Sequence, residues 1–200
     1  MKKPTRNTAF LAYSALMTAI AIVLNFFPEI PIPLPFAPWL KLDFSFTPLL
    51  ILGFSLGPVM AAISLVITNV VHILGGTTSG VGELANILIG LAFLMPPTLM
   101  YRRNHTWRGA IIGMIFGVFL MTLVGVAANS YLLLPTYFGS EFEAAMGNMG
   151  LSVQGYLWAA VLPFNLIKGV ANAFLTQILY KRLSGILKDA QRDVTAQNEQ

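Results

Sequence analysis

Apolar residues fall in six long stretches, separated by shorter polar or turn-forming segments. The stretches run at about 8–27, 45–56, 59–74, 83–101, 109–134 and 157–183. Most of them approach the roughly 20 residues that a helix needs to cross a bilayer. The second is shorter, and Gly57-Pro58 separates it from the third as a tight turn does. This pattern predicts an all-α polytopic membrane protein. A six-transmembrane-helix bundle would occupy residues 1–187 and a polar cytoplasmic tail 188–200, with a five-helix bundle as the alternative.

The composition agrees with a membrane location. Hydrophobic residues make up 56% of the chain and charged residues only 10%, with a mean hydropathy of +0.72, whereas charged residues approach a quarter of a soluble domain. The absence of cysteine excludes disulfides, thiolate metal sites and cysteine nucleophiles. The amino-terminal lysines and the apolar run after them also resemble a signal peptide, but the length of that run favours a first membrane helix.

The basic residues predict an orientation, because cytoplasmic segments of membrane proteins carry an excess of Lys and Arg. If the amino terminus is cytoplasmic, ten of the twelve basic residues lie on that side, and so does the carboxyl terminus. The two exceptions are Lys41, in the first outer loop, and Lys168, inside the last apolar stretch. That first outer loop, 27–44, contains five prolines and is predicted to be stiff and extended, either as a lid or as a spacer.

Lys168 is the strongest functional signal. Asn165, Lys168 and Asn172 are spaced at i, i+3 and i+7 and therefore share one helix face. An ionisable residue at membrane depth is costly and usually functional. Lys168 lies more than ten residues from either end of its stretch, which argues against a lysine that snorkels to the interface. We predict that it contacts a ligand.

Further polar residues flank the predicted outer loops. Asn129 needs hydrogen-bond partners in lipid, whereas Tyr131 is compatible with either a binding wall or an aromatic belt. Glu83 begins the fourth stretch and Asn86 follows one turn later. Glu83 is therefore interpreted either as a helix-capping carboxylate or as a ligand contact.

The segment that ends the first outer loop contains Lys41, Asp43 and Phe44. Lys41 and Asp43 are interpreted either as a surface ion pair or as part of a ligand gate. Asn69 and His72 are interpreted as a polar lock between helices. The chain carries no Walker A motif, no HExxH motif and no nucleophile paired with a base, so neither ATP hydrolysis nor intramembrane catalysis is supported. No metal site is expected.

Small residues line one face of the first helix and allow close helix approach in lipid, either within the chain or with another subunit. They are Ala12, Ala15 and Ala19.

Four segments in order, 40–44, 80–86, 129–135 and 164–169, resemble the S components of energy-coupling factor (ECF) importers, most closely the riboflavin-binding members. The resemblance covers nearly the whole chain. It implies a bacterial cell-membrane protein that captures riboflavin from the extracellular side, beneath the first outer loop. The family's partners are a transmembrane coupling subunit (EcfT), which the alanine motif meets, and two cytoplasmic ATPases (EcfA and EcfA′).

The resemblance also implies the ligand contacts. Asn129, Asn165 and Lys168 match best, and other matching positions follow: Lys41, Asp43, Glu83, Asn86 and Tyr131. Phe44, Trp39 or Tyr131 would stack on the flavin. Riboflavin is the transported ligand and no cofactor is expected. Another vitamin, FMN, or a self-sufficient secondary transporter using Lys168 or Glu83 remain alternatives.

Overall fold

The computed structural model describes residues 6–27, 30–31, 40–75, 80–148, 150 and 152–196. The longer helices are α1 (Arg6–Phe26), α2 (Phe46–Leu56), α3 (Pro58–Ile73), α4 (Val81–Asn104), α5 (Trp107–Ala128) and α9 (Leu162–Ala196). The short ones are α6 (Leu134–Phe138), α7 (Phe142–Asn148) and α8 (Val153–Tyr156). Strands β1 (Ile30–Pro31) and β2 (Lys41–Leu42) pair antiparallel.

The fold is mostly helical, and four helical stretches among the described residues are long and apolar enough to cross a membrane. They are Thr8–Phe26, Val81–Asn104, Trp107–Glu141 and Val153–Tyr180. Helices α2 and α3 are apolar but shorter. Gly57 joins them with φ +99°, a backbone conformation that favours glycine, and Pro58 begins α3. The turn predicted from Gly57-Pro58 is therefore confirmed.

Helices α4 and α5 form a tightly packed hairpin. A Cβ atom at Gly113 would lie 2.4 Å from the Cα of Pro97, and one at Gly117 would lie 2.5 Å from the carbonyl oxygen of Phe93. Only glycine allows the two backbones to approach this closely. These glycines turn inward and leave the bulky residues of α5 facing outward.

Part of the predicted outer loop 135–156 is helical, since α6, α7 and α8 lie within it. Its buried apolar side chains explain this order. Met146 and Tyr156 are fully buried and pack in a cluster that also contains Leu40 and Phe164. The same region contains two π-helical segments, Asn129–Leu133 and Leu157–Val161, a feature often found at functional sites.

Helix α1 turns a polar face toward the bundle. Ser14, Thr18 and Asn25 are buried, and the Thr18 hydroxyl donates to Ser64 Oγ at 2.8 Å. The opposite face is exposed and carries the alanine stripe. Ala12, Ala15 and Ala19 therefore take no part in the packing of the described bundle.

Candidate ligand-binding site

A cavity of about 440 Å³ lies at the end of the bundle where β2 meets the start of α4. Its volume is in the range of small-molecule sites, about 300–1,000 Å³. Polar side chains from widely separated segments line it. They are Asn25, Lys41, Asp43, Asn69, His72, Glu83, Asn86, Asn129, Asn165 and Lys168.

Lys168 is buried in the wall of this cavity, with 5% of its surface exposed. Its ammonium donates to Asp43 Oδ2 at 2.5 Å and to Asn86 Oδ1 at 3.3 Å. It also lies 4.8 Å from the ring centroid of Phe46, a cation–π distance. A buried charge needs such compensation. The carboxylate of Asp43, the carboxamide of Asn86 and the ring of Phe46 together fix the position of the ammonium group.

Asp43 joins the segment before α2 to α9. Besides accepting from Lys168, its carboxylate accepts from the backbone N–H and the hydroxyl of Ser45 at 3.0 and 2.5 Å. Asn172 Nδ2 donates to the Asp43 carbonyl at 3.0 Å. Asp43 is 5% exposed, and its ion pair with Lys168 is buried, whereas the pair considered from the sequence was a surface pair with Lys41.

Asn165 is packed tightly against α5, where a Cβ atom at Gly125 would lie 2.6 Å from its carboxamide. Its Nδ2 donates to the Val161 carbonyl at 2.9 Å. Its Oδ1 is buried and has no hydrogen-bond partner among the residues that the structure describes. Because Asn165 lines the cavity, a ligand N–H or O–H that reaches this atom would satisfy the acceptor.

Asn129 occupies the first position of the π-helical segment after α5. It donates through Nδ2 to the Gly125 carbonyl at 2.9 Å. Its Oδ1 accepts from the Tyr156 hydroxyl at 3.0 Å. Tyr156 is fully buried and therefore fixes the orientation of this carboxamide in the cavity wall.

The polar lock predicted from Asn69 and His72 is confirmed. Asn86 Nδ2 donates to Asn69 Oδ1 at 2.8 Å, and His72 Nδ1 lies 2.9 Å from Glu83 Oε1. Both contacts join α3 to α4. Glu83 stands in the first turn of α4. It is only 3% exposed, so its carboxylate is directed into the protein.

Seven of the nine ligand contacts expected from the sequence line the cavity. Tyr131 is 84% exposed, and neither it nor Phe44 belongs to the lining. Trp39 lies outside the described residues.

Other aromatic residues line the cavity, namely Phe26, Tyr137 and Phe164. Asn25 and Phe26 were missed by the sequence reasoning, although a lone carboxamide near the end of an apolar stretch is a usable signal. Phe164 lies in one of the segments that carry the resemblance.

The charges that line the cavity are balanced, with Lys41 and Lys168 against Asp43 and Glu83. Among the described residues, no group of three or more His, Cys, Asp or Glu side chains is arranged to hold a metal ion. The site therefore offers paired charges, carboxamides and aromatic rings, a combination suited to a neutral ligand with several hydrogen-bonding groups.

A family model described as "ECF transporter, substrate-specific component" matches residues 9–180. The chain belongs to this family. It is therefore a multi-pass bacterial membrane protein and the substrate-binding subunit of an ECF transporter. The resemblance found in the sequence is confirmed, and the family consists of transport components rather than enzymes.

Named relatives and a solved structure agree with this assignment. The chain is 34% identical over 130 residues to the riboflavin transporter RibU of Staphylococcus aureus, covering 65% of this chain and 67% of the relative. It is 30% identical to RibU of Streptococcus thermophilus, covering 90% and 85% of the two chains. A structure titled "Structure and mechanism of the S component of a bacterial ECF transporter" matches with a TM-score of 0.76 and 33% identity, over 92% of this chain and 99% of that one.

Proposed function

We propose that this S component captures riboflavin in the polar cavity. The observation that carries the proposal is the convergence of Asp43, Asn86, Asn129, Asn165 and Lys168 on one cavity of about 440 Å³. These residues come from segments far apart in the chain. The relatives named as riboflavin transporters supply the identity of the ligand.

The chemistry of riboflavin suits these walls. Its flat tricycle can pack against Phe26, Phe164 and Ile89, which line the cavity. Its imide N–H and ribityl hydroxyls are potential donors for the unpartnered acceptor Oδ1 of Asn165. Its carbonyl oxygens accept from the ammonium of Lys168 or from a carboxamide. Riboflavin is uncharged, as the balanced charges of the cavity favour.

The topology and partners complete the proposal. All six apolar stretches span or enter the bilayer, both termini are cytoplasmic, and the cavity opens to the extracellular side. The predicted lid, 27–44, lies mostly outside the described residues. Transport depends on the coupling subunit EcfT and on ATP hydrolysis by EcfA and EcfA′. The exposure of Ala12, Ala15 and Ala19 supports their assignment as the surface that meets the coupling subunit, because small residues permit close helix contact.

Titration of the detergent-purified protein with riboflavin, followed by quenching of flavin fluorescence, tests the ligand. We expect saturable quenching with one site per chain, and weaker competition by FMN, whose phosphate adds uncompensated negative charge. Thiamine and folate should not compete. Failure to bind any flavin would refute the proposal. Tight binding of thiamine or folate instead would assign the same site to that vitamin.

A further inference from the structure

A second and larger cavity, about 640 Å³, is a groove between α5 and α9. Its floor is formed by Met114, Val118 and Thr122, which are nearly buried. The Thr122 hydroxyl donates to the Val118 carbonyl at 2.8 Å, so the floor leaves no hydrogen-bonding demand unmet there. The groove is therefore suited to an apolar occupant.

The walls of the groove are bulky and exposed. Phe119 is 59% exposed and Phe174 62% exposed, and both line the groove. Helix-docking surfaces in membranes use small residues. Here the glycines of α5, such as Gly113 and Gly117, face the protein interior. The groove therefore favours a flexible chain over a partner helix.

The length of the groove suits one leaflet. It extends along α5 from Ile111 to Leu123, about 18 Å at 1.5 Å per residue. Half of the hydrocarbon core of a bilayer is about 15 Å. The groove is therefore about as long as the part of a phospholipid acyl chain that lies in one leaflet.

Basic residues mark one end of the groove. Arg108 is exposed three residues before Ile111, and Lys181 and Arg182 follow Gln177, a lining residue, by about one turn of α9. Trp107 stacks on Tyr180 at the same level, with 5.5 Å between the ring centroids, as aromatic residues do at a membrane interface. Cations at headgroup level attract anionic lipids.

We propose that the α5–α9 groove is a binding site for an anionic phospholipid, with one acyl chain in the groove and the headgroup at the end of the groove where Arg108 is exposed. The site is separate from the polar cavity and does not depend on which vitamin is carried. The bound lipid covers the exposed apolar walls of α5 and α9.

Native mass spectrometry of the full chain in detergent, incubated with equimolar dioleoylphosphatidylglycerol and dioleoylphosphatidylcholine, tests this site. We expect one phosphatidylglycerol adduct, favoured about tenfold. The substitution R108Q should bring the two lipids to parity. The matched substitution R102Q, at an exposed position at the end of α4, should leave the preference unchanged.

A second matched pair tests the groove itself. Phe119→Ala removes a wall and should lower the adduct several-fold, whereas Phe116→Ala, on an equally exposed residue of α5 outside the groove, should not. Equal adducts of both lipids with the unaltered protein, or equal effects of the two phenylalanine substitutions, would show a nonspecific lipid shell and overturn the proposal.

Discussion

The α5–α9 groove and the polar cavity, both formed by described residues, differ in size and in chemistry, and the smaller one is the candidate vitamin site. The α5–α9 groove measures about 640 Å³ and the polar cavity about 440 Å³. The groove is lined almost entirely by apolar side chains. The polar cavity brings together two carboxylates, two ammonium groups and several carboxamides.

The surrounding bilayer explains why the volume of a cavity is a poor indicator of the vitamin site. Apolar grooves on a membrane protein face acyl chains, which fill them at little cost. Polar side chains at membrane depth need hydrogen-bond partners. A cluster of them therefore indicates that protein partners or a ligand are present. In this fold the convergence of polar groups, rather than the volume, distinguishes the proposed vitamin site.

The largest expected effect comes from Lys168. Lys168→Met removes a cation from the polar cavity and should weaken riboflavin binding about 30-fold or more, as loss of a buried charged partner does. It also leaves Asp43 as an unpaired buried charge, which destabilises a protein by about 3–5 kcal/mol.

The double substitution Lys168→Met with Asp43→Asn separates the two effects. It should recover most of the thermal stability lost in the single variant without recovering affinity. Fluorescence titration and thermal unfolding measure the two quantities. If the double variant binds riboflavin like the unaltered protein, Lys168 has only a structural role.

Gly125→Ala should have the next largest effect. The added Cβ would lie 2.6 Å from the Asn165 carboxamide and would displace it, with an overpacking cost of about 1–3 kcal/mol. We expect roughly tenfold weaker flavin binding. Gly147→Ala is the matched control, because a Cβ there meets nothing within 4 Å, and it should leave affinity unchanged. Equal losses in both variants would contradict a specific role for Asn165.

Asn165→Leu should weaken flavin binding without lowering the thermal stability of the protein. Removing the open, buried Oδ1 acceptor removes a desolvation cost of about 1–3 kcal/mol in the unliganded protein, and it also removes a hydrogen bond to the ligand. We expect weaker binding, by up to about tenfold, together with unchanged or higher thermal stability. Simultaneous losses of both would indicate that this carboxamide is structural.

The smallest expected effects lie outside the polar cavity. Phe119→Ala in the groove and Tyr131→Phe on the exposed surface should each change riboflavin affinity by less than about twofold, since surface substitutions usually act within 0.5 kcal/mol. The same titration measures them. A large loss of riboflavin affinity in the Phe119 variant would show that the groove influences the polar cavity, and would contradict their separation.

Much of this arrangement follows from the spacing of residues in the sequence. The i, i+3 and i+7 spacing of Asn165, Lys168 and Asn172 predicts a shared face, and all three are buried. The same rule accounts for Tyr131, because residues two apart on a helix point in different directions. With Asn129 directed inward, Tyr131 faces outward.

The long-range contacts were beyond the sequence reasoning. The partner of Lys168 is Asp43, 125 positions away, and local periodicity carries no information about such a pairing. The nearby alternative, Lys41 with Asp43, is the one that spacing suggests. Likewise, the order within 135–156 depends on burial of Met146 and Tyr156 against Leu40 and Phe164, which tertiary packing alone provides.

A crystal structure of the protein with riboflavin bound tests the central claim most directly. The account predicts the flavin in the polar cavity, with a flavin N–H or O–H within about 3.2 Å of Asn165 Oδ1 and Lys168 in contact with the ligand. A flavin in the α5–α9 groove, or one in the polar cavity that leaves Asn165 Oδ1 without a partner, would contradict it.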